Sequence, residues 1–430
     1  MLITMSDVPQ SPLPAGAATA QVLRVHEGDC WVYFAFDVGH AIDLDAAQRL
    51  LAAEAGKAAP PVRREEIPHG SAGRGGCRRV PASARFQPAP LRVDQAAPDL
   101  AKVTLGGFAV AGNVVCTLFD FGAVSVAYRV PLRGGEPGLS LDALLPLAAA
   151  LFDCAPLRDD AARRVARLVS QLGGTIDRAN VAAIVEDYTV YHASRWSAVP
   201  PPAGAVREVT SSDTAPLISA NGEAIARLLL AESGADGLSL QTVESVLSAR
   251  VSYSAADAAV IDWNAALVVG PDEADTLAVL EFANVELLEM RFLDDRLDAA
   301  LDRSYSTLLR RDARGRTPRS PLGLIFDPHR AERRRMAALQ MESAVLFEGV
   351  NNALKLVGDQ HLARLYAAAA KRFHLAEWDR SILRKLHTIE GLYQKLADEQ
   401  ANRRMEVLEW IIIILIAVSI VLPFLPGVGK

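Results

Sequence analysis

The chain is poor in the residues that most often announce chemistry. Its 430 residues hold four cysteines and eight histidines, and Cys30, Cys77, Cys116 and Cys154 lie far apart. With no C-x-x-C pair, no H-E-x-x-H and no Cys/His cluster, the ligand spacing of a tetrahedral zinc site is missing. Buried thiols in a reducing compartment are the expectation. No G-x-x-x-x-G-K-[ST] loop is there to cradle phosphates, and the terminal "GVGK" lacks the strand-to-helix setting such a loop needs. "PDEAD" (Pro271 to Asp275) therefore reads as a helix start whose acids oppose the helix dipole. Met1–Ala20 is rich in Pro, Ala and Ser and has no basic stretch followed by an apolar one, so no secretory leader is expected. A formal charge of -6 points neither to a nucleic-acid coat protein nor to an acidic-tail binder.

Charge is missing most conspicuously from Trp410 to Leu425. A membrane span needs about 20 apolar residues to cross about 30 Å of hydrocarbon. Adding Val407, Leu408, Gly427 and Val428 brings the run to that length, with Glu409 its one charge. Trp410 suits the interface, and Trp410, Ile411, Ile412, Ile413, Ile414, Leu415 and Ile416 form the expected anchor. Arg403 and Arg404 precede it, so the positive-inside tendency leaves the body in the cytoplasm. The expectation is a tail anchor over 406–428 with the lipid bilayer as partner.

Half of the residues are hydrophobic, enough for a folded core of two or three domains. The predicted fold class is a soluble α+β body, then a long helical hairpin and a single C-terminal transmembrane helix. After a disordered start (1–22), the body runs over 23–274. In it "CWVYFAFDV" reads as a strand, and "IDLDAAQRLLAAEAG" as a helix capped by Asp43 and stopped by Gly56. Residues 60–90 form a Pro/Gly/Arg-rich insert. "NVVCTLFDFGAVSVAYRVPL" reads as a hairpin around Asp120–Gly122, with Gly122 free to take positive φ. "LSLDALLPLAAALFD" is a predicted helix; "IVEDYTVYHA" and "WNAALVVG" are predicted strands. Strands and helices alternate without a strict βαβ cadence, which favours α+β.

A long helix is predicted over 275–310, a basic Pro/Gly linker over 311–330 and an antiparallel helical hairpin over 331–405, turned near Val357 to Asp359. Leu375, Ile382, Ile389 and Leu396 recur every seven residues, a rhythm that fits an intramolecular pair or a homo-oligomeric coiled coil. Glu281, Glu286, Glu289, Asp294 and Asp295 suggest a solvated helix face more than a metal site, since no complete ligand set surrounds them. No cofactor, metal or catalytic residue is expected from any motif. Arg310, Arg311, Arg314, Arg316, Arg319, Arg330, Arg333, Arg334 and Arg335 form a basic stretch. It suits anionic headgroups or RNA phosphates, and a solvated linker explains it equally well.

"LEWIIIILIAVSI", together with "RSILRKLHTIEGLYQKL", "VVCTLFDFGAVSVAYRV" and "LAVLEFANVELLEMRFLDDRLD", resembles the required-for-meiotic-nuclear-division family in a bacterial, YagE-like branch. The family's eukaryotic members are mitochondrial membrane proteins that support translation by holding ribosomes near the inner membrane, and no catalytic residues are established for it; the resemblance implies a protein of the bacterial inner membrane that tethers or supports translation machinery there. The expected function is accordingly a non-enzymatic, tail-anchored interaction module. The alternative is a membrane-anchored enzyme with Asp120, Glu281 or Glu286 as acid–base groups.

Overall fold

A computed structural model describes residues 21–55, 62–64, 88–199, 213–234, 236–271, 274–313 and 360–421, with 334, 338 and 341 as isolated helical residues. Its organising strand is β1 (Val22–Asp37), which begins inside the stretch expected to be disordered and runs well beyond the predicted "CWVYFAFDV". Alternate side chains of a strand leave on opposite faces. Val32, Phe34 and Phe36 accordingly enter one core while Tyr33 and Ala35 enter another. A strand buried on both faces reads as a continuous apolar run, as the second half of this one, Cys30–Phe36, does.

The other strands are β2 (Ala41–Ile42), β3 (Val62–Arg64), β4 (Leu91–Ala96), β5 (Thr104–Leu105), β6 (Phe108–Ala109), β7 (Asn113–Leu118) and β8 (Ala123–Arg133). They continue with β9 (Leu139–Ser140), β10 (Ile176–Asp177), β11 (Val185–Val199), β12 (Arg250–Val251), β13 (Ala258–Ile261) and β14 (Ala265–Val269). Ten of the fourteen form one sheet in the order β12-β13-β14-β11-β1-β8-β7-β4-β3, with β9 paired to β1. All its pairings are antiparallel except β11 with β14. The predicted hairpin is β7–β8, with Cys116 opposite Val126, and Gly122 takes φ +99° at its turn.

One face of the sheet is covered by α1 (Leu44–Ala55), α2 (Leu145–Leu151), α3 (Ala155–Leu172), α4 (Thr214–Ala220), α5 (Gly222–Leu229) and α6 (Leu240–Leu247). Asp43 caps α1 as predicted: its Oδ1 accepts from the backbone N–H of Ala46 at 2.9 Å. The opposite face is covered by α7 (Ala274–Ala313), by α8 (Gln360–Arg372) and by the start of α9 (Leu375–Val421). Helices on both sides of a mainly antiparallel sheet make the body α+β. Cys30, Cys116 and Cys154 are buried free thiols, and burial pushes the Cys116 thiol up to about 12. Cys77 lies outside the described residues.

The helical region departs from expectation. The turn predicted near Val357 to Asp359, most of the insert over 60–90 and the linker after Ala313 lie outside the described residues. The described turn falls at Phe373–His374, where His374 takes φ +56°, and α9 starts there. Beyond it, α9 runs alongside α7 in the same direction. Ser381 donates to Asp294 at 3.4 Å, and Lys385 bridges Asp294 at 2.8 Å and Asp298 at 2.6 Å. Partners thus advance together along both helices. Ile382 and Ile389, two positions of the seven-residue rhythm, pack with Met290, Leu293, Leu297 and Ala300 of α7. This stretch of the rhythm is an intramolecular seam.

The transmembrane end of the predicted fold is overturned. No helix among the described residues is long and apolar enough to cross a membrane. The charge-free part of α9 runs from Trp410 to Val421, about 18 Å of helix against about 30 Å of hydrocarbon. The two turns before it carry Arg403, Arg404, Glu406 and Glu409. Trp410, Ile411, Ile412, Ile413, Ile414, Leu415 and Ile416 are the exposed end of this helix. A single-pass location in the cytoplasmic membrane is not supported.

Candidate functional site

The sheet carries its chain ends toward α7. Asp37 closes β1, and the backbone beyond it is knitted to two neighbouring loops. Val38 N–H donates to the Gly122 carbonyl at 2.9 Å and His40 N–H to the Asp177 carbonyl at 2.9 Å. Ile42 N–H reaches the Asp120 carbonyl at 2.8 Å, while Asn180 and Ala182 donate to the carbonyls of Val38 and Asp37 at 3.0 Å. Gly122 is required at this crossing, because a Cβ there would sit 2.1 Å from the Gly39 carbonyl oxygen. Three loops are thereby locked around one cleft.

That cleft has a volume of about 400 Å³ and is lined by Asp37, Gly39, His40, Phe121, Arg178, Asn180, Glu289, Phe292, Leu293 and Arg296. The Phe121 ring stacks on Phe119 at 5.4 Å and meets the Phe282 edge at 6.4 Å, which fixes one apolar wall. The Arg296 guanidinium lies over the Phe292 ring, 5.5 Å from its centroid. Arg178 sits on the cleft loop in a left-handed conformation, φ +49°.

Glu289 is the deepest group. It is 2% exposed, and its Oε1 has no hydrogen-bond partner among the described residues. Burial, and next the negative charge of Asp37, hold its pKa well above the usual carboxylate range. A carboxyl with a raised pKa keeps its proton to higher pH, and a protonated carboxyl can donate a hydrogen bond, which a carboxylate cannot. Asp37 is itself 5% exposed.

The expected site residues separate. Asp120 occupies the hairpin turn, and its neighbour Phe121 lines the cleft. Glu281 and Glu286 are buried, as is Glu289, so the acidic set is not a solvated face. Glu286 accepts a 2.5 Å hydrogen bond from the Tyr366 hydroxyl, and burial pushes its pKa to about 7. Asp294 faces Lys385, and Asp295 is exposed. No group of three potential metal ligands occurs among the described residues. Arg310 and Arg311 fall within α7, and Arg334 is an exposed helical residue. Arg314, Arg316, Arg319, Arg330, Arg333 and Arg335 lie outside the described residues.

Asp37, His40, Arg178 and Arg296 belong to no sequence motif, since three separate segments deliver them. The readable signal was in α7: "LAVLEFANVELLEMRFL" has apolar residues all round, so its glutamates had to share the buried surface.

The chain is similar to the uncharacterized protein MJ0711 of Methanocaldococcus jannaschii, with 23% identity over 246 residues, 56% of this chain and 67% of that protein. No solved structure matches. These comparisons replace the resemblance to the meiotic-nuclear-division family, which they do not support. Residues 27–276, more than half of the chain, match the family described as "Uncharacterized protein MJ0711, N-terminal domain", and the chain belongs to that family.

Proposed function

We propose that the protein is a non-enzymatic interaction module whose body binds a small organic anion in the Asp37–Glu289 cleft. The observation that carries this reading is the buried Glu289, its pKa raised and its Oε1 without a hydrogen-bond partner among the described residues, in a cleft also lined by two guanidinium groups, Arg178 and Arg296. Among the described lining residues, two guanidinium groups thus stand with Asp37 and with a Glu289 whose pKa is raised. The balance favours an anionic head, and Phe121 and Phe292 suit an apolar or aromatic body. Glu289 would donate to an acceptor atom of the ligand.

Helix α7 gives this binding a mechanical outlet. The family match ends at residue 276, three residues into α7, and Glu289, Phe292 and Arg296 lie on the continuation that packs against α9. A ligand bridging Arg178 and Arg296 would tie the family domain to the two-helix arm, whose outer surface is available to a protein partner. A ribosomal partner follows only from the meiotic-division resemblance and has no separate support in the chain.

Phenyl phosphate supplies a suitable probe, with a dianionic head and an aromatic ring. Calorimetric titration is expected to show one site, weakened about tenfold or more by Arg296→Gln, the loss of one charge-assisted contact. Equal binding by wild type and by the double variant R178Q/R296Q would refute the assignment. A second reading, acid–base catalysis with Glu289 as general acid, is favoured by its raised pKa. Consumption of a carboxylate or phosphate ester by the wild type but not by Glu289→Gln would select it.

A further inference from the structure

A second cleft, of about 880 Å³, opens on a different side of α7, where Leu287 and Arg291 rather than Glu289 and Arg296 line it. Its walls come from the start of β11, the β13–β14 turn, α6 and the α8–α9 turn. At the β13–β14 turn stands Asp262, 1% exposed. One of its carboxylate oxygens, Oδ1, takes both the Nε and the Nη2 of Arg372 at 2.6 Å. The other, Oδ2, is buried without a hydrogen-bond partner among the described residues. A buried carboxylate oxygen is an acceptor, and leaving it unmatched is costly. The group it calls for is a donor.

The surroundings narrow the donor's chemistry. Trp263, the next residue, is 56% exposed although it lines a cleft, and Trp378 and Phe373 line the same space. An exposed indole is poorly placed for stability and well placed to receive a ligand face. Three carboxyl side chains, Glu186, Asp187 and Asp262, face this cleft with two arginines, each already engaged: Arg291 with Glu186 and Arg372 with Asp262. Asp187 is 3.8 Å from Arg158, which is held more closely by Asp153 at 2.6 Å. The described lining therefore leaves acceptor capacity, at Asp262 Oδ2, beside aromatic faces.

We infer that this second cleft binds an organic cation bearing N–H donors, a guanidinium or alkylammonium group, with its N–H on Asp262 Oδ2 and its face against Trp263 and Trp378. The inference stands on its own residues and does not depend on the anion site. The cation could be a free amine metabolite or the side chain of a basic peptide, and the same chemistry serves both.

The test follows the indole N–H signals of the full-length protein by NMR, with Trp263 and Trp378 assigned through Trp263→Phe and Trp378→Phe. Two probes are titrated: agmatine, and an acetylated, amidated Gly-Arg-Gly peptide. Saturable shifts of both indole signals, with affinity reduced at least tenfold in Trp263→Ala and in Asp262→Asn, are expected. Tighter binding of agmatine would identify a free amine as the source, and tighter binding of the peptide a basic side chain. Since Asp262→Asn also disturbs the Arg372 pair, the exposed Trp263→Ala variant, whose melting temperature is expected to be unchanged, carries the result if the former fails to fold. The inference is overturned if neither probe moves the two signals, or if Trp263→Ala binds as the wild type does.

Discussion

Glu289 of α7 is buried beside Asp37 at the end of β1, and the negative charge of Asp37 adds to burial in raising the Glu289 pKa well above the usual carboxylate range. A carboxyl whose folded pKa is raised binds more protons in the native state than in the unfolded state at intermediate pH. Its favourable contribution is complete below the unfolded value and declines as pH rises toward the folded one. Glu289→Gln removes this titration while keeping the shape and a donor. Its melting temperature is expected to match the wild type near pH 4.5 and to exceed it increasingly toward pH 8. A constant difference across that range in scanning calorimetry would contradict the assignment.

Glu286 supplies a second titration with a defined window. Its pKa stands at about 7, raised first by burial and lowered in part by the Tyr366 hydroxyl. The sign is the same: stability is lost as pH rises from the ordinary carboxylate range through about 7, by on the order of 3 kcal/mol in the limit. Glu286→Gln should flatten that decline in urea unfolding at pH 5, 6, 7 and 8. Tyr366→Phe should cost about 1–3 kcal/mol, because it strips a buried carboxyl of its donor.

The α7–α9 seam makes a ranking testable. Ile382→Ala removes a fully buried side chain from the cluster of Met290, Leu293 and Leu297 and should cost about 2–5 kcal/mol. Lys385→Met breaks the partly exposed bridge to Asp294 and Asp298 and should cost about 1 kcal/mol or less. Chemical denaturation that put the lysine variant below the isoleucine variant in stability would contradict a seam held chiefly by apolar packing.

At the loop crossing, Gly122→Ala places a methyl group 2.1 Å from the Gly39 carbonyl oxygen at a residue with φ +99°. Both the clash and the conformation oppose it, so a loss of about 2 kcal/mol or more is expected. Phenyl phosphate affinity should fall with it, since the displaced loop carries His40 and its neighbour carries Phe121. An unchanged melting temperature would show that the crossing is looser than described.

Local features of the fold were legible because each depends on neighbouring residues. Asp43 caps α1 through an N–H three residues away, and the β7–β8 hairpin follows from two apolar runs joined by a turn with glycine. The strand predicted at "CWVYFAFDV" was found but read too short, since Val22–Gly28 mixes polar residues into a strand whose partners, β11 and β8, are distant in sequence. The site was largely illegible for the same reason. Asp37, Arg178 and Glu289 converge only through sheet pairing and the placement of α7. The glutamates of α7 were misassigned because charge suggests solvent, whereas here the apolar residues around them decide. The apolar end of α9 misled in the opposite direction: its composition suits lipid, but its charge-free length within the described helix does not reach across a bilayer.

The most direct measurement is a crystal structure of the full-length protein with phenyl phosphate. The phosphate is expected within about 3.5 Å of the guanidinium groups of Arg178 and Arg296, with the ring between Phe121 and Phe292 and an acceptor atom facing Glu289. Density for the ligand elsewhere on the protein, with the Asp37–Glu289 cleft filled only by solvent at saturating ligand, would contradict it.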